Sequence, residues 1–141
     1  MTWRKFPPVV PDAEANPARP VPSAKTLADI KADAAQKIAS SRYALETAGI
    51  DFYGTRIKTD RESQATLNSA MTAVARNPLL EIDWKGDGGW AKLGKAEVEA
   101  ISDAVIAHVQ SCFSAERAKL VALEALTTAA EVRAFDCEVT L

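Results

Sequence analysis

Between Lys95 and about Leu126, apolar side chains recur at helical steps. Val98, Ile101, Val105, Val109, Cys112, Phe113, Leu120, Leu123 and Leu126 form one stripe. A 3.6-residue period over that length predicts one long amphipathic helix, or two in succession. At 1.5 Å per residue such a helix spans roughly 45 Å. That length sets the scale of any fold containing it. Copies of a long helix can also pair with one another. Glu116 and Lys119 interrupt the heptad fit, so a coiled-coil oligomer is a secondary reading.

The remaining elements follow from punctuation and period. Ser23 or Thr26 can cap a helix in which Leu27, Ile30, Ala34, Ile38, Ser41 and Leu45 share a face, with Gly49 placed as a left-handed C-terminal cap. IDFYGTRIKTD supplies strand residues around Gly54, which can adopt a turn conformation other residues resist, and predicts a small hairpin. Thr59-Asp60-Arg61-Glu62 has the form of a capping box, with Thr59 as cap and Glu62 reaching back. The helix after it carries Leu67, Met71 and Val74 and stops at Asn77-Pro78. Leu80, Ile82 and Trp84 then alternate with Glu81, Asp83 and Lys85, the period of a half-buried strand. Gly86-Asp87-Gly88-Gly89 turns the chain, and Trp90 to Leu93 return as a second strand. Gly94 is a tolerable cap for the long helix. Thr128-Ala129-Ala130-Glu131 is a second capping box and predicts a short last helix. The expected fold is α+β and mostly helical, with three to four helices and two short β-hairpins.

Residues 1–22 read differently. They hold six of the seven prolines, which excludes helix and central strand and predicts an extended arm ahead of a single domain at residues 23–141. The arm also carries Trp3, Phe6, Val9 and Val10. It reads either as a tail, loose or folded back on its own domain, or as an anchor that docks on a partner. The net charge of −2 comes from 17 basic and 19 acidic residues without a basic stripe, which argues against nucleic acid as partner. No apolar run approaches the roughly 18 residues of a membrane span. MTWRKFPPVVP lacks the apolar core of a signal peptide, so the expected setting is the cytoplasm, or a larger assembly made there.

Each candidate for chemistry has a plain structural reading. Asp83-x-x-x-Asp87-Gly88 lacks the alternating oxygen ligands and terminal glutamate of a calcium loop, so no metal is expected. Trp84 lies on the apolar face of its strand and is expected in the core. For Trp90, packed core and partner contact stand even. His108 and Cys112 are four residues apart and would share a helix face, but inside a packed stripe rather than a cleft, so no catalytic role is expected. Cys112 and Cys137 form no recognisable set and are expected to be reduced, small apolar residues. GDGG lacks the lysine and spacing of a phosphate cradle.

Taken in order, these blocks resemble a family of unknown function found in tailed-phage tail fibre and tail fibre assembly-like proteins. The resemblance covers residues 27–135. It rests on GIDFYGTRIKTDRESQATLNSA, on Trp84 with the Asp87-Gly88 turn, and on KAEVEAISDAVIAHVQSCFSAE, with His108 and Cys112 at characteristic positions. Gly94 departs from the Ser or Thr that the family tends to place as helix cap, and the proline-rich arm lies outside the shared core. The resemblance implies a virion protein of the tail fibre or baseplate region that works by protein–protein contact, without catalytic residues or cofactor. Its implied partners are other tail proteins and copies of itself, as in a trimer. Trp3, Phe6, Val9, Val10 and Trp90 are the partner-binding candidates. Gly54, Thr59, Glu62, Trp84, Asp87 and Gly88 are motif residues with structural explanations. The alternatives are a tail fibre assembly chaperone absent from the finished particle, an adhesin, and a thiol enzyme using Cys112 and His108.

Overall fold

The computed structural model describes residues 24–141. Four helices and two antiparallel hairpins follow in the order α1 (Leu27–Glu46), β1 (Ile50–Phe52), β2 (Thr55–Ile57), α2 (Arg61–Arg76), β3 (Ile82–Gly86), β4 (Gly89–Leu93), α3 (Lys95–Glu124) and α4 (Ala129–Arg133). The expected fold class is therefore found: mostly helix, with two two-stranded sheets. The proline-rich arm, with Trp3, Phe6, Val9 and Val10, lies outside the described residues.

α3 is one unbroken helix of 30 residues, and it carries two cores on different stretches of its length. Its first half packs Val98, Ile101 and Val105 against Leu67, Ala70 and Val74 of α2 and Ile57 of β2. Its last turns pack Leu123 against Ile30, Ala34 and Ile38 of α1, Val132 of α4 and Val139 of the tail. α1 lies antiparallel to α3. Near the start of α1 the Lys31 ammonium donates to the Glu124 carbonyl at 2.8 Å, and Arg42 reaches Glu116 further along. The tail is tied down where the Val139 N–H donates to the Ser41 hydroxyl at 2.7 Å. Phe113 does not belong to the buried stripe as expected: it is part-exposed, one residue beyond buried Cys112, and the Arg42 guanidinium lies 4.5 Å from its ring centre.

Most helix ends match their sequence signals. Thr26 and Asp29 form a reciprocal capping box at α1. Thr128 caps α4, with the Glu131 carboxylate accepting from the Thr128 hydroxyl rather than from its backbone. Asn77 takes the extended backbone its following proline demands. Two expectations need correction. Thr59 is not the cap of α2 and Glu62 does not reach back. Asp60 caps α2 by accepting from the Ser63 N–H at 3.2 Å. Gly49 is not the closing cap of α1, because Thr47 ends that helix with its N–H and hydroxyl both on the Tyr43 carbonyl. Gly49 instead takes φ +93° to swing the chain into β1, and a Cβ there would lie 3.0 Å from the Ile57 carbonyl oxygen. The Gly86-Asp87-Gly88-Gly89 turn is found as expected, with its positive φ, +114°, on Gly89.

Candidate functional site

Two places concentrate what the fold does not use up. The first is a polar seam between the two cores. Glu46 ends α1, and its side chain is fully buried. Arg42, one turn back, donates to it at 2.8 Å and to Glu116 of α3 at 2.7 Å. Arg61 and Gln64, from the first turn of α2, reach the same carboxylate. Burial opposes ionisation of Glu46. The hydrogen bonds from Gln64 and Arg61, the Arg61 charge and the bond from Arg42 outweigh it, so the carboxyl sits below its ordinary range. Thr59 is buried beside it. Its hydroxyl donates to the Glu46 carbonyl and accepts from the Gly49 N–H. A satisfied ion network of this kind fixes how α1, α2 and α3 meet. All buried side-chain nitrogens and oxygens among the described residues have partners, so the seam leaves no buried polar atom free for a ligand, and Arg61 is its exposed edge.

His108 and Cys112 border this seam. The Cys112 sulfur is 3.7 Å from His108 Nε2, and that nitrogen lies 3.1 Å from the Leu45 carbonyl oxygen. Cys112 is buried. Burial, reinforced by the negative charge of Glu46 and only partly offset by Arg42, raises its thiol pKa. A buried thiol held protonated is a poor nucleophile. Cys137 is half-buried, and both cysteines are free thiols. Among the described residues no three His, Cys, Asp or Glu side chains gather to hold a metal ion. No helix there is long and apolar enough to cross a membrane.

The second place is open to solvent. The two hairpins stand side by side over the start of α3 and enclose an apolar cleft of about 400 Å³. Ile57 and Ile101 are buried at its base, and Phe52, Trp84 and Leu93 are half-buried in its walls. Tyr53, Trp90 and Glu97 stand exposed around it. Trp84 packs against the first core, as its strand position predicted. Trp90 does not: it is 72% exposed. The register explains why. Trp84 pairs with Ala91 and Lys85 with Trp90, so Trp90 shares the wet face with Lys85, whose ammonium lies 5.9 Å from its ring centre. Asp87 and Gly88 form the loop of this hairpin, and Asp87 faces Lys58 of the other at 3.6 Å.

Tyr53 was missed by the sequence reading. Phe52 pairs with Thr55, so Tyr53 and Gly54 make a two-residue turn with both φ positive, +47° and +80°. Asparagine or glycine is the usual first residue of such a turn. A bulky residue held there is strained, and Tyr53 is 94% exposed. It touches Phe52 edge-on, 4.8 Å between ring centres, and otherwise faces water. Strain combined with exposure is what a contact residue shows and a packing residue does not. The signal for it lay in the Tyr-Gly pair between two strand-forming runs.

Fold and site together define a helix-rich α+β domain that presents an aromatic-rimmed cleft. The chain belongs to the family described as a domain of unknown function (DUF4376), whose pattern spans residues 29–137. The arm at residues 1–22 lies outside that span. No curated protein and no solved structure matches the chain.

Proposed function

We propose that this protein is a non-enzymatic structural component of a bacteriophage tail, in the fibre or baseplate region, acting as an adaptor or attachment protein. The tail assignment rests on the resemblance of residues 27–135 set out above. The mode of action rests on one observation: Tyr53 and Trp90 stand exposed beside an apolar cleft. Exposed aromatic rings around an apolar floor are the composition of a protein-contact hot spot. In this reading the cleft receives a segment of a neighbouring subunit. The arm, through Trp3, Phe6, Val9 and Val10, is the complementary surface and docks on a tail protein, a second copy of this chain included. Proline has already restricted the arm, so ordering it on docking costs less entropy.

The test is quantitative mass spectrometry of purified particles from the phage that makes the chain. A fixed copy number, in threes or sixes, is the expected result. A chain abundant in infected cells yet missing from particles would replace this reading with that of an assembly chaperone.

A further inference from the structure

We infer that the cleft between the hairpins takes the proline-rich segment Lys5–Pro11 of a second copy of this chain, so that copies are joined by exchanged arms. Lys5-Phe6-Pro7-Pro8-Val9-Val10-Pro11 places a cation and two prolines at three-residue steps. A polyproline II helix has three residues per turn, so Lys5, Pro8 and Pro11 would stand in line on one edge, about 9 Å apart. Segments of this type are received by aromatic-lined grooves, because the extended backbone is already set and flat rings pack on pyrrolidine rings. The cleft offers such a lining in Tyr53, Trp84 and Trp90. Among the described residues that line it, Glu97 alone is charged, and it is an acid to meet Lys5.

Reach decides between the arm's own cleft and a neighbour's. α1 begins beside Glu124, whereas the cleft touches α3 at Glu97 and Ile101. Those points are about 35–40 Å apart along α3 at 1.5 Å per residue. From Pro11 to Ala24 the chain has thirteen steps, worth about 40 Å at polyproline II spacing. An arm turning back on its own domain would be stretched nearly to its limit, with little length left to skirt the helices. A second copy imposes no such limit. The inference rests on reading the cleft as a protein-contact surface, but not on the tail assignment. Self-association is measured on the isolated chain, and particle content separately.

Sedimentation velocity of the whole chain tests it, beside two full-length variants. Trp90→Ala alters the cleft at an exposed residue, and Pro8→Ala/Pro11→Ala alters the arm. Wild type should gain average mass with concentration across roughly 10 µM to 1 mM, the range of a modest contact. Each variant alone should associate at least about tenfold more weakly. An equimolar mixture of the two should regain association, because one supplies an intact arm and the other an intact cleft. A wild type that stays monomeric throughout, variants that associate like wild type, or a mixture that regains nothing would each overturn the exchange.

Discussion

Tyr53 holds a left-handed backbone and buries almost nothing. That conformation costs a residue with a Cβ roughly 1–2 kcal/mol. Its edge contact with Phe52 returns about 0.5–1.5 kcal/mol at most, and less for a ring so wet. Tyr53→Asn should therefore raise stability, by up to about 1 kcal/mol in chemical denaturation, since asparagine suits this turn. The same change should weaken whatever fills the cleft. Lower stability in the variant would mean the ring is there for packing. Glu46 is the opposite case, a residue whose whole environment is inside. Glu46→Ala takes one of Arg42's two carboxylates and leaves Glu116 as the other, but removes an acceptor from the Gln64 amide and opens a buried gap, and should cost about 1–3 kcal/mol. The pH dependence has a definite sign. The folded pKa of Glu46 is depressed, so its contribution is complete above the unfolded carboxylate value and is lost as pH falls through the folded one. Asp29, Asp60 and Asp136 are shifted in the same direction. Denaturation midpoints measured from pH 6 downward should fall below about pH 4, the ordinary carboxylate range. Glu46→Gln should make that fall shallower without abolishing it.

At the scale of elements, the helices were legible because each carries its own period, and the hairpins because alternation and glycine mark them. Even the exposure of Trp90 was implicit: a loop of two or four residues pairs it with Lys85, off the face of Trp84. What the sequence hid depends on distant partners. Thr59 and Asp60 are both acceptable caps. Asp60 caps α2 while the Thr59 hydroxyl is engaged by the end of α1, at the Glu46 carbonyl and the Gly49 N–H. The two residues should therefore respond differently. Asp60→Ala should cost about 1 kcal/mol, the value of one helix cap. Thr59→Val keeps the volume but strands a buried donor and acceptor, and should cost about 1–3 kcal/mol. Equal and small losses in both would return Thr59 to the role of a surface cap. The cleft was hidden for a similar reason. Its walls come from hairpins some thirty residues apart, and neither shows alone that the other stands beside it.

For the whole molecule the question is whether one helix serving two cores makes one cooperative unit. The cores share α3 but few side chains, and the Arg42–Glu46 seam lies between them. If the last turns of α3 open, α1 loses its packing partner. With α1 go the Glu46 carboxylate that Arg61 and Gln64 hold and the carbonyl that Thr59 holds, so the start of α2 is left with unpaired polar groups. Buried groups stranded in this way are costly, which couples the second core to the first. Leu123→Ala, wholly within the second core, should cost about 2–5 kcal/mol. Against a typical domain stability of about 5–15 kcal/mol, that is enough to read by native-state hydrogen exchange. The slowest amides of α2, which Leu123 does not touch, should lose protection by the same free energy as those of α1. Loss confined to α1, α4 and the tail would divide the chain into two folding units at Arg42 and Glu116. The cleft would then sit on a half that stands by itself, and arm exchange would have to be tested against that half alone.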